Sequence, residues 1–123
     1  MNDYNPHSQP DPEEWQELDE QEQIVLISEY HEREQIDLPG GSVHAAFHAA
    51  VENQLAEGIP DVREALSRLM EEGLDRHEAV HAIGSVLAEC AWSALQPEGG
   101  GAGLNEEYLE SVRALSAEKW KKV

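Results

Sequence analysis

The chain has 123 residues, which is enough for a single domain with a modest hydrophobic core. Acidic residues outnumber basic ones by 26 to 8, and the formal net charge of -18 disfavours binding to nucleic acid or to an anionic membrane surface. One cysteine, Cys90, is present, the N-terminus does not have the pattern of a secretory signal, and no apolar run is long enough to span a bilayer. We therefore expect a cytoplasmic protein without an intramolecular disulfide.

Helical patterns predominate after the first twelve residues. Residues 1–12 contain three prolines and no apolar periodicity, and we predict a flexible N-terminal tail there, followed by a helical domain over residues 13–95. The first helix is expected to begin at Asp19, because acidic residues follow it in the first turn. It is expected to end before the Pro-Gly-Gly sequence at 39–41.

Three more helices are predicted in the same domain, over approximately residues 42–57, 60–72 and 75–95. Their boundaries carry residues that typically begin or end a helix, namely Ser42, Gly58, Gly73 and Asp75. Because the connections are short, neighbouring helices should run antiparallel, and the second and fourth helices could pack side by side.

The C-terminal part is predicted to comprise a Gly-rich linker over residues 96–104 and a helix over residues 105–123, with Asn105 as its N-cap. No segment alternates in hydrophobicity with period two over a useful length, so no strand is expected. The predicted fold is all-α, a small antiparallel bundle of about four to five helices.

Four of the six histidines occur as two pairs with a spacing of four residues. The stretch H-A-A-F-H-A-A-V-E contains His44, His48 and Glu52, and the stretch H-E-A-V-H contains His77, Glu78 and His81. Residues i and i+4 share a helix face, and neutral imidazole is the commonest protein ligand for transition metals. Both pairs border an apolar helix face, so four imidazoles would converge if the two helices packed together.

This pattern predicts a divalent transition-metal site with Glu52 as its carboxylate ligand and four imidazole ligands from His44, His48, His77 and His81. Zinc is the first choice of metal, and iron and manganese are the alternatives. Binding should weaken as the pH falls through about 6, because neutral imidazoles are required. Any single histidine could instead be a structural residue bonded to a carbonyl or a carboxylate, but the repetition of the pair favours a metal.

Glu78 has three candidate roles. The H-E-x-x-H pattern of zinc peptidases supplies two zinc ligands and a general base, which makes Glu78 the candidate catalytic residue. The pattern is short, and neither a strand nor a third ligand accompanies it here, so peptidase activity is not the favoured prediction. Glu78 could also be a metal ligand, or it could form a capping box with Asp75 at the start of its helix.

Two further histidines are given less weight. His31 shares a predicted helix face with Ile24 and Ile27 and could be a fifth histidine near the site, although packing at the edge of the core is the preferred interpretation. His7 is assigned to the flexible tail.

Several stretches between residues 14 and 95 carry a resemblance to a known family. They are W-Q-E-L-D-E-Q-E at 15–22, Tyr30-His31, V-E-N-Q-L-A-E-G at 51–58 and R-L-M-E-E-G-L-D-R-H-E-A-V-H-A-I-G-S-V-L-A-E at 68–89. The chain resembles a family of small uncharacterised bacterial helical proteins, a domain of unknown function. The resemblance implies a compact helical domain that ends near Leu95, with the remainder appended, and it implies no activity.

The predicted function is that of a metal-binding helical protein in which a His-rich site lies between two helices, with metal-assisted hydrolysis or a redox reaction as the chemistry such a site could perform. The alternative is a non-enzymatic, acidic interaction module whose histidines are structural. A homodimer that shares the site and a basic protein partner are both compatible with the sequence, whereas nucleic acid and membranes are not expected partners.

Overall fold

The computed structural model describes residues 4–34, 42–94 and 106–121, and within these residues the chain is all-helical, as predicted. The helices are α1 (Pro12–Glu17), α2 (Glu20–Arg33), α3 (Ser42–Ala56), α4 (Pro60–Glu71), α5 (Arg76–Ala94), α6 (Glu106–Ala114) and α7 (Ala117–Lys121). In the part of the chain that is described, no helix is both long enough and apolar enough to cross a membrane.

The helix boundaries follow from local side-chain chemistry. The backbone N–H of Glu22 donates to Asp19 at 2.8 Å, and the Glu22 carboxylate accepts from the backbone N–H of Asp19 at 3.5 Å, so the predicted start of α2 is a capping box. Gly58 and Gly73 follow α3 and α4 with φ angles of +75° and +109°, a region that favours glycine. These predicted helix ends are confirmed.

Helix α3 lies at the centre of the bundle, since it packs against α1, α2, α4 and α5. The larger hydrophobic cluster joins α3 to α4, α5, α6 and α7, with Val51, Leu69 and Ile83 among its fully buried residues. A smaller cluster joins α3 to α1, α2 and the N-terminal segment. The side-by-side packing of α3 and α5 brings the two histidine-containing helices together.

The N-terminal segment lies against the bundle instead of extending from it. Tyr4, which belongs to the predicted flexible tail at 1–12, is 1% exposed, and its ring centroid lies 5.4 Å from that of Trp15. Burial of two large aromatic rings provides a substantial hydrophobic contribution that the proline-rich composition of the segment does not reveal.

The C-terminal part contributes two helices where a single helix over 105–123 is predicted. Tyr108 and Val112 of α6 are fully buried in the larger cluster, and α6 packs against both α4 and α5. This part therefore shares the core of the helical domain. The predicted linker at 96–104 lies outside the described residues.

Candidate metal centre

Four histidines from three helices converge in the interior of the protein. They form what we call the histidine group, which consists of His31 on α2, His48 on α3, and His77 and His81 on α5. Each ring offers one nitrogen atom, either Nδ1 or Nε2, and these four atoms all lie within 4.8 Å of one another. His31, His48 and His77 are buried and His81 is partly exposed, so the group lies just beneath the surface.

Three of these rings direct the same type of atom towards one point. The Nε2 atom of His77 lies 3.1 Å from the Nε2 atoms of both His31 and His81, and the Nε2 atoms of His31 and His81 are 3.3 Å apart. In a tetrahedral site with zinc–nitrogen distances of about 2.0–2.1 Å, two nitrogen ligands are separated by about 3.3–3.4 Å. This histidine triangle, made of the three Nε2 atoms, therefore approximates one face of such a coordination sphere.

The orientation of His31 is set within its own helix. Its Nδ1 atom is 2.8 Å from the backbone carbonyl oxygen of Ile27, which can only accept a hydrogen bond, so Nδ1 carries the proton. In the neutral ring the lone pair is then on Nε2, the atom that belongs to the histidine triangle. A carbonyl that fixes the tautomer in this way is the usual arrangement for a metal-binding histidine.

His48 is held by the Tyr4 hydroxyl, at 2.7 Å from Nε2. The Tyr4 hydroxyl donates its proton to Glu52, so neutral His48 acts as the donor to Tyr4 through Nε2–H and has its lone pair on Nδ1. Burial, followed by the nearby carboxylate of Glu52, raises the pKa of Tyr4 well above its ordinary value, which keeps the phenol protonated. Coordination of a metal through Nε2 of His48 would require Tyr4 to move away.

Glu52, the predicted carboxylate ligand, belongs to a neighbouring set of contacts that we call the Arg76 network. Arg76 donates to both carboxylate oxygens of Glu52 at 2.8 Å and to the backbone carbonyl oxygen of Pro6 at 2.8 Å, and Tyr4 donates to Glu52 as well. Both charged side chains are buried, and their geometry is the bidentate one that stabilises such pairs. The carboxylate of Glu52 is therefore engaged by Arg76 and Tyr4 beside the histidine group, and its role as a ligand stays a prediction.

Glu78 lies at the start of α5 and forms a capping box there. Its backbone N–H donates to the Asp75 carboxylate at 2.8 Å, and its own carboxylate accepts from the backbone N–H of Asp75 at 3.2 Å. Of its three candidate roles, the cap is the one whose contacts the structure displays. The catalytic role stays a prediction.

The histidine group includes three of the predicted ligands and one residue for which packing was the preferred interpretation. His48, His77 and His81 come together, whereas the side chain of His44 lies outside the described residues. His31 completes the group because α2 packs against α3. The sequence signals for this position were the helix face that His31 shares with Ile24 and Ile27 and the family resemblance at Tyr30-His31.

Sequence reasoning missed the contributions of the N-terminal segment and of Arg76. The ring of His7, assigned to the tail, lies 5.7 Å from that of His77, measured between centroids. Tyr4 contacts His48, and Arg76 directly precedes His77 on α5. No spacing rule reveals these contributions, since Tyr4 meets His48, His7 meets His77 and Arg76 meets Glu52 across large separations in the chain.

Comparison with known proteins gives one result on the family. The model of a domain of unknown function, DUF1841, matches residues 8–114. The chain belongs to the DUF1841 family. The match covers all four members of the histidine group, and it continues through α6, beyond the boundary near Leu95 that the sequence resemblance implied. No curated protein and no solved structure matches the chain.

Proposed function

We propose that this DUF1841 domain binds one divalent transition-metal ion at the histidine group. The observation that carries the proposal is the histidine triangle, in which three Nε2 atoms lie 3.1–3.3 Å apart. His31, His77 and His81 supply these three atoms, and His48 is positioned to supply a fourth ligand atom.

Hydrogen bonding within the triangle is a less satisfactory account of its geometry. If Nε2 of neutral His31 carries a lone pair, at most two N–H groups remain for three contacts. When both His77 and His81 donate to His31, their own N–H groups face each other, and when only one donates, two lone pairs face each other. A cation between the rings would convert these opposed contacts into attractive ones.

The donor set favours zinc, with iron and manganese as alternatives. Imidazole nitrogen is a common ligand for zinc and iron, and the spacing of the triangle matches a tetrahedral arrangement. If His48 occupies the fourth position, the site is closed, which is typical of structural zinc. If water occupies it, the site is open and could support metal-assisted hydrolysis, or a redox reaction with a redox-active metal.

The proposal is tested by elemental analysis of untagged protein purified without added metal. We expect close to one zinc, iron or manganese ion per chain in the wild type and loss of that metal in the double variant His77→Ala, His81→Ala. His7→Ala is the matched control, because this ring contacts His77 but lies outside the group. Wild-type protein that is isolated empty and does not bind these metals when they are added would overturn the proposal.

A second candidate function rests on the net charge of -18. Under this alternative, the protein is an acidic interaction module that binds a basic partner protein, and its histidines are structural. A chelator distinguishes the two, because a module without a metal keeps its thermal midpoint, whereas a structural metal site loses stability when the metal is removed.

A further inference from the structure

A small cavity lies between α3 and α5, directly beside the histidine group. Its volume is about 90 Å³, and its inner wall includes His48 and His81. The other lining residues are Phe47, Val80, Gly84, Ser85 and Ala88. Because the lining residue Ser85 is exposed and the lining residue His48 is buried, the cavity extends from the surface to the histidine group.

The walls of this cavity are largely apolar. Among the described lining residues, none has a carboxylate, an ammonium or a guanidinium group, and the Ser85 hydroxyl donates to the backbone carbonyl oxygen of His81 at 3.0 Å. A Cβ at the lining residue Gly84 would lie 3.9 Å from both the Phe47 carbonyl oxygen and Val51, which is ordinary van der Waals contact, so a methyl group fits there without a clash. The cavity therefore leads to the rings of His48 and His81 past walls that carry no formally charged side chain.

The volume limits the size of that molecule. One water occupies about 30 Å³ in the liquid, and benzene is held by an apolar cavity of about 150 Å³. A cavity of about 90 Å³ accordingly accommodates two or three heavy atoms.

We propose that this cavity, lined by Phe47, Val80, Gly84 and Ala88, is the binding site for a small ligand of two or three heavy atoms, of the size of dioxygen, that reaches the metal beside His48 and His81. The inference rests on the proposed function, because it assigns the cavity as the access route to an open coordination position. It requires that water, and not His48, holds the fourth position, so that the small ligand can replace this water.

The cavity itself is tested without a metal by xenon, which enters apolar cavities. We expect xenon to shift the methyl resonances of Val80 and Ala88 in metal-free protein. Ala88→Leu adds three carbon atoms and should abolish these shifts at Val80. Ala91→Leu is the matched control, since Ala91 is a partly buried alanine on the same helix that does not line the cavity.

Access to the metal is tested by titrating azide into cobalt-loaded protein and following the visible absorption of the metal. We expect Ala88→Leu to weaken azide binding about ten-fold, a difference that corresponds to about 1.4 kcal/mol, while Ala91→Leu behaves like the wild type. Gly84→Ala is a milder second variant that should have a smaller effect in the same direction. Gly84→Ala replaces Ala88→Leu in this experiment if Ala88→Leu fails to fold.

The outcomes separate the two proposals. If the protein binds neither cobalt nor zinc, iron or manganese, the proposed function is overturned and this inference with it, whatever xenon does. If cobalt binds but azide leaves its spectrum unchanged, or binds equally well to the wild type, Ala88→Leu and Gly84→Ala, only the inference about the cavity is overturned.

Discussion

Two adjoining polar regions are buried in this protein, and they compensate for burial in different ways. In the Arg76 network, the guanidinium of Arg76, the carboxylate of Glu52 and the hydroxyl of Tyr4 satisfy one another, and the opposite charges are balanced within the chain. In the histidine group, three nitrogen atoms of one kind face each other at 3.1–3.3 Å.

This difference suggests a test of which region would need an ion from outside the chain. The Arg76 network is electrostatically complete, so its contribution to the free energy of unfolding should be present at once on folding. Under the proposed function, the histidine group acquires its full contribution only when a cation binds between the rings. Perturbing each region separately therefore tests the comparison.

The largest decrease in the free energy of unfolding is expected for Arg76→Met. Removal of the guanidinium leaves the Glu52 carboxylate buried without its counterion, which should lower the free energy of unfolding by about 3–5 kcal/mol. Urea unfolding measures it. Arg113→Met is the control, since its pairs with Asp61 and Glu106 lie at the surface and should matter little.

The double variant Arg76→Met, Glu52→Leu provides the internal check on this result. Replacing both partners of a buried pair by apolar residues of similar size is often close to neutral, so much of the lost stability should return. A double variant as unstable as Arg76→Met would contradict the assignment of the loss to an uncompensated charge.

Removal of the metal should produce the next largest decrease in the free energy of unfolding. If free metal exceeds its dissociation constant about 100-fold, binding stabilises the folded protein by about 2.7 kcal/mol, which a chelator removes. Because imidazole has an ordinary pKa of about 6.5 and must be neutral to bind, the metal-dependent increment should disappear as the pH falls below about 6. Urea unfolding with and without zinc, at several pH values, measures this metal-dependent increment. His77→Ala should eliminate the increment and His7→Ala should retain it; the opposite pattern would exclude His77 as a ligand.

Tyr4→Phe should cause an intermediate decrease in the free energy of unfolding, because Tyr4 contacts both the histidine group and the Arg76 network. Loss of its hydrogen bond to the Glu52 carboxylate should lower the free energy of unfolding by about 2 kcal/mol at neutral pH. The pKa of Tyr4 is raised in the folded state, so its contribution is complete below the unfolded value of about 10 and is lost as the pH rises through the folded value. Urea unfolding across this range should show the gap between wild type and variant narrowing, and a gap that widens with pH would contradict this account.

The smallest effect is expected for Glu78→Ala. Loss of one half of the capping box should destabilise α5 by about 1 kcal/mol, with no change in metal content. Thermal unfolding together with elemental analysis measures both quantities, and Glu89→Ala on the same helix is a control for removing an exposed glutamate. Loss of the metal in Glu78→Ala would assign this residue to the metal site instead.

Features that arise from neighbours along the chain could be predicted from the sequence. The start of α2 at Asp19, the helix ends at Gly58 and Gly73, and the shared face of His77 and His81 all depend on contacts within about one helical turn, which residue type and spacing describe well. The all-α fold follows from the same local patterns.

Packing of the helices selects the residues that join these local elements into a site. His31 enters the histidine group from 46 positions before His77, and Tyr4 reaches Glu52 across 48 positions. Glu52 has Arg76 as its partner because α3 and α5 pack with these two side chains facing each other. Such contacts depend on which faces of the helices are buried together, and this is set by packing of the whole core, which no spacing rule within a single helix contains.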